Sequence, residues 1–269
     1  AIRLLHALSG PASRMIQIEH LHKSFGDLDV LEDVSLNIHE GETLAIIGHS
    51  GSGKSVLMKH IVGLLSPDKG RVLVDDVDIC SVPYERLREV RKHFGVLFQG
   101  GALFDSMTSE ENVAFPLEFF SSRSPAEIKD RVAECLSLVR MPDVGPKKPA
   151  ELSGGMRKRV ALARAIALKP KYILYDEPTS GLDPETSNTI DELIQQLSEE
   201  MNVTSVVVTH DMHSVFNIAD RAAFLYGKGL HWVGPIDAIH DRADDVLDSF
   251  VTASEYHVGA RQPAASSSS

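Results

Sequence analysis

The order of apolar runs along the chain predicts an α/β fold: a parallel sheet covered by helices and interrupted by a helical insert. Three observations carry this. Leu44-Ala-Ile-Ile47 is a continuous apolar run ending at Gly48, the pattern of a strand buried on both faces. Strand-sized runs at Tyr172–Tyr175, Ser205–Val208 and Ala222–Tyr226 alternate with helical patterns at Pro184–Met201 and Met212–Ile218. Between about Gly100 and Lys158 helical spacing replaces strand signals, with a Pro/Gly-rich break at Gly145–Pro149.

In chain order, alternation at Ile16, Ile18 and His20, then at Val34, Leu36 and Ile38, predicts two half-exposed strands joined around Gly26–Leu28. A helix follows from Lys54 to about Leu64, stopped by Pro67 and Gly70, and Arg71–Val74 and Gly95–Phe98 read as strands. Ser124-Pro125-Ala-Glu127 is a capping box with proline at the first helical position, opening a helix whose apolar face is Ile128, Val132, Cys135, Leu136 and Val139. Asp237 to about Ser254 reads as a short amphipathic helix with Val246, Leu247, Phe250 and Val251 on one side. The polar tail, 257–269, is too simple to pack and is expected to be disordered, and residues 1–14 are expected to be an extension. Ala1–Leu8 is broken by His6 and too short for a signal peptide.

Composition narrows the function classes. The 269 residues, 43% hydrophobic and 24% charged, suit a globular chain. Twenty-seven Lys and Arg against 38 Asp and Glu give a net charge of −11, which argues against a nucleic-acid partner recognised by bulk charge. Cys80 and Cys135 lie far apart without metal-binding spacing and read as reduced thiols. His213 lies near His210, but no further ligand accompanies the pair, so no metal site is read there. No apolar run approaches the ~20 residues of a membrane helix.

The chemistry concentrates in two motifs. Gly48-His49-Ser50-Gly51-Ser52-Gly53-Lys54-Ser55 fits G-x-x-x-x-G-K-[ST] between an expected strand and helix. Glycines let backbone N–H groups converge on phosphates, and the helix adds its positive end. Lys54 would then reach the β- and γ-phosphates, and the Ser55 hydroxyl would ligate Mg²⁺. Tyr172-Ile-Leu-Tyr175-Asp176-Glu177 delivers two carboxylates at the carboxyl end of a strand, where open α/β sheets place ligands. Asp176 suits the metal, and Glu177 suits a base that orients or deprotonates water.

Leu152-Ser153-Gly154-Gly155-Met156 resembles the signature motif of ATP-binding-cassette (ABC) ATPases, and it precedes the Asp-Glu strand as it does there. Gln99 after an apolar strand, Ser180-Gly-Leu-Asp183 after Glu177, and His210 closing a third strand extend the resemblance over about Met15 to Val233. The resemblance implies a P-loop NTPase core with an antiparallel β subdomain and a helical subdomain at about 100–158, within an ATPase domain at 15–235. It further implies a homodimer in which two subunits meet head to tail around two ATPs with Mg²⁺. Carried over, Phe25 would stack on adenine, and Ser153, Gly154 and Gly155 would meet the nucleotide of the other subunit. His210 would contact the γ-phosphate, Asp183 would cross the interface, and Gln99 would reach the metal and attacking water.

Phe98-Gln-Gly-Gly-Ala-Leu-Phe-Asp-Ser106, with Glu111–Leu117 and Met156-Arg-Lys-Arg159, resembles the ATPases of the Mla phospholipid-transport system and related Mce lipid transporters. That implies lipid transport powered through an integral membrane permease. A small cytoplasmic accessory subunit and an Mce-type substrate-binding protein would complete the complex, with the ATPase cytoplasmic and peripheral on the inner membrane. In that group a carboxyl-terminal extension (here about 236–256) reaches the neighbouring subunit, so the Leu247/Phe250 face is expected to dock there. An importer or exporter of another solute is the alternative; a non-transport cassette is disfavoured by the single cassette, the missing heptads and the acidic charge.

Overall fold

The computed structural model describes residues 14–240 and 244–259, with side chains from 16 to 240 and 244 to 253. Two long strands, β1 (Arg14–Phe25) and β2 (Leu28–His39), form an antiparallel hairpin. Strands β3 (Thr43–Ile47), β4 (Lys69–Val74) and β5 (Val77–Asp78) follow, with helix α1 (Lys54–Ile61) between β3 and β4. Helix α2 (Tyr84–Arg91) and β6 (Phe94–Leu97) lead to the helical insert, α3 (Ser109–Phe120), α4 (Pro125–Leu138) and α5 (Gly154–Ala165). The chain returns through β7 (Tyr172–Asp176), α6 (Pro184–Met201), β8 (Thr204–Val208), α7 (Met212–Ile218), β9 (Arg221–Tyr226), β10 (Gly229–Pro235) and α8 (Asp245–Gly259).

Two sheets result. The first is antiparallel, in the order β2-β1-β4-β5; the second runs β10-β9-β3-β8-β7-β6 and is parallel except for the β9–β10 hairpin. β3 lies between β8 and β9, so its carboxyl end opens at the centre of the sheet. Side chains alternate across a strand, and β3 divides its residues accordingly. Leu44 and Ile46 join Ile16, Ile18, Leu36 and Leu57 in the core beneath the antiparallel sheet. Ala45 and Ile47 face Met212, Val215, Phe224 and Trp232 on the opposite side. A third cluster joins the insert to the sheet through Val113, Leu117, Cys135, Ala161, Tyr175 and Leu193. Burial of Cys135 pushes its thiol up to about 11, leaving it unreactive.

Helix starts follow local chemistry. Ser124 and Glu127 form the expected capping box of α4, and Thr108 with Glu111 forms another at α3. α1 stops at Ile61 rather than Leu64, ahead of Gly63 with φ of 68°.

The carboxyl-terminal reading needs two corrections. The helix starts at Asp245, not Asp237; a 3-10 turn covers Ile236–Ala238, and the Asp244 carboxylate accepts from the Val246 and Leu247 N–H groups at 3.1 Å. The Leu247/Phe250 face does not await a neighbour: Leu247 is 0% and Phe250 3% exposed, packed with Phe224 and Trp232 of the same chain. Its apolar side chains find a large hydrophobic surface within their own domain. Of the expected extension at 1–14, residues 1–13 lie outside the described residues and Arg14 already opens β1; of the expected tail at 257–269, residues 260–269 lie outside them and 257–259 continue α8.

Candidate active site

The loop from Gly48 to Gly53 leaves the carboxyl end of β3 and turns into α1. A Cβ on Gly48 would sit 2.5 Å from the Leu225 carbonyl oxygen, and Gly53 has a φ of 96°, so both positions require glycine. His49 meets the Phe250 ring edge-on at 5.0 Å, which places α8 against the loop. The Lys54 ammonium curls back over the loop and donates to the carbonyls of Gly48 (2.8 Å) and His49 (2.9 Å). Burial lowers its pKa from the ordinary lysine value, against the opposing pull of Glu177 and Asp176.

Ser55 and Asp176 are 121 residues apart in sequence, yet the Ser55 hydroxyl donates to Asp176 Oδ1 at 2.9 Å. A hydroxyl and a carboxylate converging beside a phosphate loop form the hard-oxygen donor set that Mg²⁺ takes up. Next along the chain, Glu177 adopts a left-handed φ of 49°, a strained conformation for a side chain of this kind. The His210 Nδ1 donates to Glu177 Oε1 at 2.9 Å, and the Thr209 hydroxyl approaches Oε2 at 3.5 Å. His210 is therefore held against the carboxylate while 62% of its side chain stays open to solvent.

The other predicted residues lie around this centre. The Phe25 ring is 48% exposed at the tip of the first hairpin, with the Lys23 ammonium 5.4 Å from its centroid, so it is no core residue. Gln99 donates to the Ser180 hydroxyl at 3.5 Å rather than to the Ser55–Asp176 pair. Asp183 caps α6, accepting from the Thr186 N–H (3.0 Å) and hydroxyl (2.6 Å), and these bonds hold its carboxyl below the usual range.

Ser153 caps α5 by accepting from the Met156 N–H at 3.2 Å, and both Ser153 and Gly154 are exposed. Gly155 is buried, and a Cβ there would sit 2.3 Å from the Thr186 methyl.

Sequence reasoning missed Lys158. It lies in the run Arg157-Lys-Arg159, which enters only as part of the resemblance to the lipid-transport group and gives Lys158 no role of its own. The structure buries it to 6% exposure, and its ammonium donates to the carbonyls of Glu177 (3.0 Å), Pro178 (2.7 Å) and Ser180 (2.8 Å).

A phosphate loop on the central parallel strand, a hydroxyl–carboxylate metal pair and a second carboxylate bonded to a histidine define a P-loop ATPase. Residues 31–180 match the ABC transporter family, and the chain belongs to it. It is 41% identical, over 90% of its length and 70% of the relative's, to a probable ribonucleotide transport ATP-binding protein, mkl, of Mycobacterium leprae. It is 42% identical to a methionine import ATP-binding protein, MetN, of Clostridioides difficile, covering 84% of this chain and 70% of that one.

Among solved structures, the ATP-binding cassette MJ0796, in a dimeric post-hydrolysis state bound to ADP and Pi, superposes with a TM-score of 0.77 at 35% identity. That match covers 82% of this chain and 99% of that one. Clostridium perfringens cbiO1, part of an ABC transporter complex, gives 0.78 at 28% identity over 91% and 97%. The chain is thus the ATP-binding subunit of an ABC transporter, an ATPase that uses ATP with Mg²⁺. No helix among the described residues is long and apolar enough to cross a membrane.

Proposed function

We propose that two copies of this chain close head to tail on a membrane permease, each completing the other's nucleotide site, and that hydrolysis drives (phospho)lipid transport. The observation that carries the dimer is the state of the signature turn: Ser153 and Gly154 are ordered by an internal cap yet exposed, an anion-binding helix start that among the described residues bonds only to its own helix. In the closed pair that turn meets the γ-phosphate held by the partner's loop, and Asp183 crosses the interface.

Hydrolysis is in-line attack of water on the γ-phosphate. Lys54 leaves its two carbonyl partners for the β- and γ-phosphate oxygens. Ser55 and Asp176 would hold Mg²⁺, which would neutralise charge on those oxygens. Glu177 takes the proton from water, His210 orients against the γ-phosphate, and Gln99 would reach the attacking water and the metal on closure. Phe25 offers a flat, solvent-facing ring for the adenine. The Glu177→Gln variant is expected to bind ATP, hydrolyse it about 100-fold or more slowly, and accumulate as a closed dimer in size-exclusion chromatography; retained turnover removes Glu177 as the base.

The surface that grips the permease is placed on the segment after Gln99. Asn112 fastens it, exchanging bonds with the Phe104 N–H (2.8 Å) and carbonyl (3.1 Å), and Arg164 donates to the carbonyls of Gly101 (2.9 Å) and Ala102 (2.8 Å). The fastened loop presents Phe104, 42% exposed, in line with Phe115 and with Phe119, itself 64% exposed. Such an aromatic ledge suits a helix of a permease. The lipid cargo rests on the likeness of this segment to Mla- and Mce-type ATPases. The same complex would include a small accessory subunit and an Mce-type binding protein, with the ATPase on the cytoplasmic face of the membrane.

The relatives named for ribonucleotide transport and methionine import favour a second reading, import of a small solute. Mass spectrometry of the complex purified through this subunit decides: phospholipid with an Mce-type subunit is expected, and a soluble solute-binding protein without lipid overturns the lipid cargo.

A further inference from the structure

We propose that Lys158 is a positioning residue for hydrolysis: its ammonium fixes the turn that aims Glu177 and carries Asp183 toward the partner copy. The inference rests on the role of Glu177 proposed above and adds what holds that carboxylate in place.

An ammonium has three protons to donate, and Lys158 meets three acceptors, the carbonyls of Glu177, Pro178 and Ser180. Among the described residues no salt bridge accompanies these bonds, although the Glu177 carboxylate attracts the ammonium through space, and a buried charge without a bonded counter-ion is a poor way to stabilise a fold. What the charge supplies is orientation. Three carbonyls within four residues point toward one atom, which forces the chain into the strained left-handed conformation at Glu177.

The same lysine sits five residues after Ser153, on the helix that the signature turn begins. Contact between that turn and the partner's nucleotide therefore reaches the Glu177–Ser180 turn of its own subunit through one side chain. Gly155 against Thr186 ties the same helix to α6, just beyond Asp183.

The test compares Lys158→Met, Lys158→Gln and Glu177→Gln in the full chain, measuring kcat, KM for ATP and Tm. Lys158→Met is expected to lower kcat about 10-fold or more, because a misplaced catalytic group slows chemistry without loosening the substrate. KM should stay within about 2-fold, since the phosphate loop is untouched, and Tm should fall only modestly, because the relief of a buried charge offsets part of the loss of a donor to three carbonyls. Lys158→Gln retains two N–H donors and should recover part of kcat.

A wild-type kcat in Lys158→Met overturns the proposal, as does a KM that rises in step with the loss of kcat, or a Gln variant no better than Met. Should Lys158→Met fail to fold, Lys158→Gln decides: reduced kcat at unchanged KM supports the role, and wild-type kcat overturns it. Turnover surviving in Glu177→Gln overturns the base assignment itself. A dead Glu177→Gln beside a fully active Lys158→Met overturns only the role of Lys158.

Discussion

The phosphate loop and the signature turn are both helix starts suited to anions, but they differ in how completely one chain builds them. At the loop, Lys54 is bonded twice, and Ser55 is bonded to an aspartate brought from 121 residues away. At the turn, Ser153 bonds only to its own helix, and its outer face is open. A region finished within one chain reports what folding alone requires. A region that is ordered but unfinished is, under the proposed dimer, where a second molecule completes the site.

That contrast can be broken most severely at the finished half. Lys54→Ala removes the charge that meets the phosphates and is expected to abolish measurable ATPase activity, a loss of at least about 100-fold. Ser153→Arg blocks the unfinished half and should also stop turnover while leaving ATP binding intact. If each site draws one half from each subunit, mixing the two inactive variants restores sites in which both halves are wild type. Statistical pairing then limits recovery to about a quarter of wild-type activity, and a mixture with no recovery contradicts the shared site.

A smaller effect sharpens the account of the loop's support. Phe250→Ala opens a cavity beneath His49 and Phe224 and should cost about 3–5 kcal/mol in denaturant unfolding. An unchanged midpoint would mean that α8 is only loosely applied.

The smallest effect concerns α6, which carries Asp183 at its start. Asp191 on that helix is 3% exposed, and burial pushes its pKa up to about 6 against the opposing pull of Ser214 and Asn217. The folded state favours the protonated acid, so its contribution to stability is full below about pH 4 and is lost as the pH rises through about 6. Asp191→Asn should add about 3 kcal/mol at pH 7.5 and nothing near pH 4; a constant increment across that range would contradict a titrating carboxyl.

The central sheet was legible because its strands are apolar runs with no alternation, and α6 and α7 because each begins at a cap and continues with clear periodicity. Helix α2 escaped notice: Tyr84–Arg91 is dominated by charge and buries only Val90, so it offers no apolar stripe. Strand β10 begins at glycine, ends at proline and lies at a sheet edge, where propensity says little. Residues 15–235 as one ATPase domain remain a proposal about boundaries, although every motif used above lies between them. At the site, residues within a motif could be read, since backbone chemistry imposes their spacing. Lys158 could not, because its three acceptors come from a turn about twenty residues further on that only folding brings near.

The contact between Gly155 and Thr186 has a consequence for genetics. An alanine allele at 155 would harm the protein even in a lone subunit, because the added methyl strikes α6 before any nucleotide is present. A null phenotype there is thus not proof of a lost interaction between subunits. A compensating Thr186→Ser allele, lacking the methyl that obstructs, separates the two lesions: whatever defect survives in the double mutant belongs to the interface.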